Sequence, residues 1–296
     1  MIKFIPWGEI VKKIEIAIDN QLNNKTIKHL LVNQLLMSDK LVTDLKKGDY
    51  IKLNGQHCTV RTELKTNDVV TIEIPETEKS DIIPKPGILD ILYEDEDIIA
   101  INKPANMPTH PTRYHVEDTL ANIVCNYLGD NFVFRAINRL DKDTTGIVLI
   151  AKNRYSADIL NRQIRCRAIK KEYVAICKGE IKTSGTIEES IKKESQNGIK
   201  RIVSPDGQYA KTIYSPIKTE NGYTLVKLCP ETGRTHQLRV HMSHMGYPLY
   251  SDYIYGTEVD GARTLLHCET LCFTHPITKK QVCINAPLPD DFFIKY

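Results

Sequence analysis

The sequence predicts an α+β fold on a mixed, mainly antiparallel sheet, because its strand-like and helix-like segments follow one another irregularly. Short apolar runs typical of buried strands lie at Ile98–Ile101 and Ile147–Ala151. Segments with helical spacing lie at Thr119–Leu128 and Ser156–Arg167. A doubly wound parallel sheet needs regular alternation of strands and helices, so it is disfavoured.

The N-terminal part of the chain is predicted to form a smaller α/β unit. Apolar residues at helical spacing over Lys25–Leu36 predict a helix. Asn54 and Gly55 stand between apolar flanks, and because both residues tolerate positive φ they predict a tight hairpin. The apolar run Val69–Ile74 predicts the strand that ends the unit.

Residues 75–87 contain three prolines among charged residues. Because proline interrupts regular structure, we expect a linker in this segment. The predicted domains are 1–78 and 88–296, joined by a linker at 79–87. The length of 296 residues agrees with one large and one small domain, at roughly 100–200 residues per domain.

Composition and charge restrict the function only weakly. Hydrophobic residues make up 41% and charged residues 26%, as in ordinary globular proteins. The net charge of +3 is too small to indicate nucleic-acid binding without a local basic patch. Apolar runs are all shorter than the roughly 18–20 residues of a membrane span, and charges interrupt the N-terminal segment, so we expect neither a span nor a signal peptide.

The eight cysteines contain no C-x-x-C pair. A chain of this size does not need a disulfide framework, so we expect reduced, mostly buried thiols in a reducing cytosol. The strand-like segment Leu266–Pro276 holds Cys268 and Cys272, whose spacing is too wide for a zinc knuckle. Structural thiols are therefore favoured there.

Three segments carry side chains suited to chemistry. The first, Asn138–Gly146, is a charged loop that leads into the strand beginning near Ile147. A loop anchored by a buried strand presents its side chains at a sheet edge, where functional groups are common. Taken alone, however, the segment favours a solvated turn with surface ion pairs.

The second segment, Lys171–Gly179, predicts a strand with two distinct faces. Tyr173 shares one face with Ala175 and Cys177, whereas Val174 and Ile176 share the other. Taken alone, Tyr173 would be a core or rim tyrosine with a satisfied hydroxyl.

The third segment, Pro230–His241, predicts a turn followed by a helix. Gly233 suits the tight turn, Thr235 suits the N-cap of the helix, and Gly246 suits its end. The apolar residues of this helix share one face: Leu238, Met242 and Met245.

Three histidines in this region raise the question of a metal site. His236 lies off the helical face that His241 and His244 share, and the sequence has no HExxH pattern. We therefore expect no metal, and a metal-dependent hydrolase built on these histidines is an alternative interpretation.

Taken in order, these segments resemble the RluA-type RNA pseudouridine synthase family over about residues 88–290. Arg139-Leu140-Asp141, with Thr144 and Gly146, resembles the family's HRLDxxTSG motif. Lys171-Glu172-Tyr173 resembles the family's tyrosine motif, and the segment from Thr232 to Arg239 resembles its TGRTHQLR motif. Residues 24–74 resemble, more weakly, a small alpha-L-type RNA-binding domain.

Four positions depart from the family pattern. Asn138 stands where the family usually has His, and Thr145 where it usually has Ser. Asn106 and Ser251 stand where Gly is common. The carboxylate, the tyrosine and Arg234 are unaffected, so the departures concern RNA contacts and not the chemistry.

The resemblance implies a pseudouridine synthase fold that breaks the glycosidic bond of a uridine in RNA and rejoins the base through C5. It assigns the catalytic carboxylate to Asp141, its guanidinium partner to Arg234 and a base-stacking role to Tyr173. An aspartate in a polar setting is ionised at neutral pH and can act as nucleophile or charge stabiliser. A phenol with a usual pKa of about 10 is a poor base, so we expect Tyr173 to stack on the base.

The resemblance also implies a structured RNA substrate, ribosomal or transfer RNA, and no cofactor or metal. We expect a cytoplasmic monomer. The expected substrate-binding residues, apart from the three catalytic ones, are Arg139, Thr144, Thr145, His236, Gln237, Leu238 and Arg239. Since the target base must leave its stack, Arg139 is expected to fill the vacated space.

RNA binding is expected to be largely electrostatic. The densest run of basic residues consists of Arg154, Arg162, Arg165, Arg167, Lys170 and Lys171. The acidic residues of the same stretch are Asp158 and Glu172. A solvated helix face explains this run equally well. A non-catalytic RNA-binding protein on a synthase-like fold is the main alternative function.

Overall fold

The computed structural model of the protein describes residues 11–78, 80–129, 132–196 and 198–293. The first ten residues, which belong to the segment expected to contain no signal peptide, lie outside the described residues, as does residue 79 of the predicted linker. None of the helices in the described ranges is long and apolar enough to span a membrane.

The N-terminal unit is a four-stranded antiparallel sheet covered by short helices. Its strands follow the order β1-β4-β2-β3. The elements are β1 (Val11–Ala17), α1 (Ile27–His29) with a π-helical turn (Leu30–Gln34), α2 (Asp39–Lys46), β2 (Ile51–Leu53), β3 (Gln56–His57) and β4 (Val69–Pro75).

The local predictions for this unit are confirmed, with one omission. Asn54 and Gly55 form the turn between β2 and β3 with φ of 53° and 81°. The predicted helix begins at Ile27, because the Thr26 hydroxyl accepts a hydrogen bond from the backbone of His29 and caps it. The predicted strand is β4, whereas β1 was not predicted.

The larger domain contains a ten-stranded mixed sheet, as predicted. The order is β10-β13-β14-β9-β15-β8-β6-β5, with β7 paired to β8 and β16 to β15. In this sheet β15 and β8 run parallel, and the other described pairs are antiparallel. The strands are β5 (Ile91–Glu94), β6 (Ile98–Lys103), β7 (Arg135–Ala136), β8 (Thr145–Ala151), β9 (Lys170–Lys178), β10 (Gly185–Glu188), β11 (Ile191–Lys193), β12 (Arg201–Val203), β13 (Lys211–Glu220), β14 (Tyr223–Pro230), β15 (Leu266–Thr274) and β16 (Gln281–Asn285). Strands β11 and β12 form a separate hairpin.

The helices of this domain are α3 (Leu120–Leu128), α4 (Arg154–Arg165) and α5 (Gln237–His244), and a 3₁₀ turn follows at Asp290–Phe293. The predicted helices α3 and α4 are confirmed. Helix α4 begins two residues before Ser156, because the Asn153 side chain accepts a hydrogen bond from the backbone of Ser156.

The two faces of β9 enter different cores, as the alternation predicted. Tyr173, Ala175 and Cys177 pack into the main core. Val174 and Ile176 pack with Leu265 and Phe292 on the opposite face of the sheet. Tyr173 therefore lies on the face that also carries the loop before β8.

The two domains are in contact through α4. Tyr155 and Ile159 of that helix belong to the apolar core of the N-terminal unit. Lys12 and Asp97 form an ion pair of 2.7 Å in which both side chains are buried. The division at 1–78, 79–87 and 88–296 remains a prediction, but the interface resembles a shared core more than a flexible joint.

The expectation that all cysteines are reduced is wrong for one pair in this structure. Cys272 and Cys283 lie opposite each other on β15 and β16 and form a disulfide. Strand register brings their Cα atoms to 4.1 Å, a closeness that spacing in the sequence does not reveal.

Candidate active site

Asp141 lies in the loop between β7 and β8, and its side chain is 31% exposed. The preceding backbone is fixed by Thr109, whose hydroxyl accepts a hydrogen bond from Leu140 N and donates one to Leu140 O. The following backbone is fixed by Lys103, which donates to Lys142 O at 3.0 Å. The Asp141 carboxylate is therefore carried by a loop whose backbone is held by hydrogen bonds on both sides of this residue.

Lys103 is fully buried beneath this loop. Its ammonium donates three hydrogen bonds, to the carbonyls of Pro104, Met107 and Lys142. Burial lowers the pKa of Lys103 to about 7, against the opposing effect of the nearby carboxylates Asp143 and Asp141. The sequence analysis did not predict a role for this lysine.

Arg239 connects Asp141 to a second, buried carboxylate. Its Nη1 donates to Asp141 Oδ2 at 3.1 Å, and its Nε and Nη2 donate to the two oxygens of Asp252 at 2.7 and 2.8 Å. Asp252 is 0% exposed and Arg239 is 5% exposed. Burial opposes the charge of Arg239, but pairing with Asp252 and Asp141 outweighs it and raises its pKa.

The prediction that Arg234 is the partner of Asp141 is wrong in this structure. Arg234 is exposed in the loop before α5, and its Nε donates to Tyr209 O at 3.1 Å. The residue that reaches Asp141 is Arg239, one and a half turns further along, because α5 points that side chain inward. Arg239 was predicted to bind substrate and is instead the ion-pair partner.

The start of α5 also differs from the prediction. Thr235 is not the N-cap; His236 occupies that position with φ of 57° and makes no side-chain cap. The Gln237 side chain instead accepts hydrogen bonds from the Thr232 hydroxyl and Arg234 N. Gln237 and Leu238 are both buried, and their expected role in substrate binding remains a prediction.

His236 lies between Asp141 and a tyrosine. Its Nε2 is 3.8 Å from Asp141 Oδ2, and its Nδ1 is 2.8 Å from the hydroxyl of Tyr255. Burial lowers the pKa of His236, although Asp141 opposes the shift. The predicted proximity of His236 to the site is thus supported by geometry.

Tyr173 is 7% exposed and lies near Asp141. Tyr173 pairs with Cys268 across strands β9 and β15. Burial raises the pKa of Tyr173 well above its usual value, with Cys268 and Asp141 adding to the effect. A phenol in this setting stays protonated and is unsuited to act as a base.

The remaining predicted residues divide into exposed and structural ones. Arg139 is exposed. Thr144 and Thr145 are buried, and the Thr145 hydroxyl is 2.8 Å from His267 Nδ1. The expected contact of both threonines with RNA remains a prediction. The side-chain amide of Asn138 donates a hydrogen bond to Ile147 O and accepts one from Leu149 N.

The histidines do not form a metal site. His241 is buried, with Nδ1 2.9 Å from the Thr212 hydroxyl and Nε2 2.9 Å from Glu189 O, whereas His244 is exposed. Within the described ranges, no three His, Cys, Asp or Glu side chains are grouped so that they could hold a metal ion. The hydrolase alternative has no support from this arrangement.

The predicted basic run does not form one surface. Arg154 donates to Asp44 at 2.8 Å, and Arg162 donates to Leu36 O at 3.4 Å, so both serve the domain interface. Lys171 is partly buried, and burial lowers its pKa. The exposed members of the run are Arg165, Arg167 and Lys170, together with part of the Arg162 side chain.

Known proteins resemble this chain in sequence and in fold. The family model described as RNA pseudouridylate synthase matches residues 97–244, from the start of β6 to the end of α5. The chain is 38% identical over 265 residues to the uncharacterized RNA pseudouridine synthase YjbO of Bacillus subtilis, covering 87% of this chain and 94% of that protein. It is 36% identical over 262 residues to ribosomal large subunit pseudouridine synthase D of Vibrio cholerae, covering 81% and 80%.

A solved structure has the same fold. The chain superposes on human RNA pseudouridylate synthase domain containing 1 with a TM-score of 0.58 at 27% identity, covering 69% of this chain and 86% of that one. The mixed sheet is that of a pseudouridine synthase domain. The chain belongs to the RNA pseudouridylate synthase family, and its resemblance to the RluA type is confirmed.

Proposed function

We propose that this RNA pseudouridine synthase converts uridines of structured RNA to pseudouridine with Asp141 as the catalytic carboxylate. The observation that supports this assignment is the position of Asp141: partly exposed and paired with an arginine that a second carboxylate holds. The charge and direction of the Asp141 carboxylate are thereby prepared before the substrate arrives.

The reaction breaks the bond between C1′ and N1 of the uridine and forms one between C1′ and C5. The proton on C5 is lost and N1 gains one, so no net oxidation occurs. Asp141 would assist the first step as nucleophile or as charge stabiliser. Tyr173 would contact the turned base with its ring, since a phenol whose pKa is raised by burial stays protonated and is unsuited to act as a base.

Ribosomal RNA is the substrate class we favour. The relative from Vibrio cholerae is named as acting on the ribosomal large subunit and aligns with 81% of this chain. We further propose that the protein works as a monomer in the cytoplasm, where ribosomal and transfer RNA are found. The N-terminal unit, packed on α4, would add a second RNA contact to the same particle.

The test is a map of pseudouridine in total RNA from cells with and without the protein, and with Asp141→Asn. We expect a small set of sites to disappear in both the deletion and the variant. Asp206→Asn is the matched control, because Asp206 is an exposed aspartate whose side chain contacts Lys192 on the β11–β12 hairpin. Sites that persist with Asp141→Asn would overturn the catalytic assignment, and an unchanged map in the deletion would favour the non-catalytic alternative.

A further inference from the structure

A cavity of about 680 Å³ opens directly beside the Asp141 site. Its wall includes Lys142 and Asp143, which follow Asp141 in the chain, and Tyr253, which follows Asp252. The Tyr253 ring lies 5.6 Å from the guanidinium carbon of Arg239. The cavity is therefore separated from the catalytic ion pair by about one side chain.

This cavity is distinct from the place where the target uridine is expected. Asp141, Tyr173 and His236 do not line it. Its volume falls in the range of roughly 300–1,000 Å³ seen for small-molecule sites. A second nucleotide, adjacent to the uridine in the same RNA strand, could occupy this space.

Two tyrosines line the cavity, Tyr250 and Tyr253, and Tyr253 is the more exposed of the two. Tyr253 is 51% exposed, although its backbone is held by the turn in which Asp252 accepts hydrogen bonds from Ile254 N and Tyr255 N. Exposed aromatic rings beside RNA sites commonly stack on unpaired bases, and this stacking is worth about 1–3 kcal/mol per base.

The charges of the cavity favour a base and not a phosphate. Arg263 and Asp291 form a two-bond ion pair with each other. The other charged side chains of the wall are Lys142, Asp143 and Glu258, of which two are acidic. Carboxylates repel phosphate but accept hydrogen bonds from the amino groups of adenine, guanine or cytosine.

Two polar residues in the wall have unusual backbone geometry. Asn106 and Ser251 line the cavity and have positive φ, of 58° and 52°. Side chains other than Gly are uncommon in this conformation. The amide of Asn106, which is exposed, adds a further hydrogen-bonding group to this wall.

We propose that this cavity binds an unpaired nucleotide next to the target uridine and prefers a base with an exocyclic amine. The base stacks on the ring of Tyr253, and its amine donates a hydrogen bond to the carboxylate of Asp143 or Glu258. The inference rests on the proposed function for its substrate class, because it assumes that the uridine lies at Asp141. It identifies a sequence preference at a flanking position that the catalytic residues do not explain.

The experiment measures binding of labelled single-stranded RNA pentanucleotides by fluorescence anisotropy at low salt. One oligonucleotide is all uridine; the others carry one adenosine, guanosine or cytidine immediately before or after the central uridine. We expect at least one substituted oligonucleotide to bind about fivefold or more tightly than the all-uridine one, because uracil has no exocyclic amine to donate to a carboxylate of the cavity. Tyr253→Ala should abolish the difference.

Two further variants keep the result interpretable. Asn106→Gly should weaken the preference without harming the fold, because Gly adopts positive φ readily. Tyr127→Ala, which removes a half-exposed tyrosine on α3, should leave it unchanged. Equal binding of all pentanucleotides, absence of measurable binding, or a preference that survives Tyr253→Ala would overturn the inference.

Failure of the proposed function would look different. Binding of pentanucleotides requires no turnover, so the preference can be measured even if no pseudouridine forms. A normal pseudouridine map with no flanking preference would reject the cavity assignment alone.

Discussion

The carboxylate of Asp252 holds the guanidinium of Arg239 by two hydrogen bonds, and the third nitrogen of that guanidinium reaches Asp141. Asp252 is completely buried, while Asp141 is partly exposed. One carboxylate therefore positions the arginine and the other is left facing the solvent.

Asp252→Asn should reduce the rate of pseudouridine formation by about 100-fold or more, since a displacement of about 1 Å in a catalytic constellation has an effect of this size. It should also destabilise the fold by about 3–5 kcal/mol, because Arg239 loses its main buried partner. Single-turnover rates and urea unfolding measure the two effects. Asp97→Asn removes a buried ion pair with Lys12, outside the site, and should leave the rate nearly unchanged; an equal loss of rate there would mean that general destabilisation is the cause.

Arg239→Lys and Arg234→Lys separate the two arginines of the predicted motif. Lysine cannot bond both Asp252 oxygens and Asp141 in the planar geometry of arginine, so Arg239→Lys should lower activity by about 100-fold. Arg234→Lys keeps the charge of an exposed residue and should change activity only a few-fold. Activity assays on the same RNA compare them, and the reverse ranking would restore Arg234 as the partner of Asp141.

The sequence did not reveal which of these two arginines contacts Asp141. Both stand in the recognised motif, five residues apart, and the choice between them depends on the inward direction of α5 and on a partner 98 residues away. The motif located the site, but the side-chain contact required the packed structure. The same holds for Gln237, whose place in the motif suggested RNA contact although its side chain holds the loop before α5.

The fold was predictable where the signals were local. Asn54-Gly55, the buried run of β8 and the alternation of β9 were each confirmed. The insertion of β15 between β9 and β8 was not predictable, because non-local strand pairing leaves little trace in one sequence. The Cys272–Cys283 disulfide depends on the same long-range register.

Asp97 should be the most sensitive residue of the domain interface. It accepts hydrogen bonds from Lys12 at 2.7 Å, Asn153 at 2.7 Å and Ser156 at 3.2 Å. Asp97→Ala leaves the buried Lys12 charge without this partner, so it should lower the free energy of unfolding by about 3–5 kcal/mol. Urea unfolding measures the change. Asp206→Ala, at an exposed position, should cost less than about 1 kcal/mol, and comparable losses in both variants would contradict a buried interface.

The surface that remains of the basic run should contribute to RNA affinity. Arg167 is exposed, and its guanidinium lies 5.9 Å from the Tyr209 ring. Tyr209 O also accepts the hydrogen bond from Arg234, so the two arginines flank the same tyrosine. Arg167→Glu should weaken binding to structured RNA and reduce the slope of log affinity against log salt by about 1. Lys218→Glu, at an exposed lysine paired with Glu220, is the control; an unaltered salt slope in Arg167→Glu would remove this residue from the RNA surface.

His267 should make stability depend on pH. It is fully buried between Thr145 and the carbonyl of Ala286, and burial lowers its pKa to about 4 from the usual 6.5. Between those pH values, His267 of the unfolded chain binds a proton that the folded protein excludes. The free energy of unfolding should therefore fall as the pH decreases from about 6.5 to 4. The contribution of His267 to this loss is at most about 3 kcal/mol. Urea unfolding of the wild type and of His267→Gln at intervals across this range isolates the effect, because the variant cannot take up that proton. The difference between the two proteins should narrow as pH falls, and a constant difference would show that His267 does not titrate as its burial predicts.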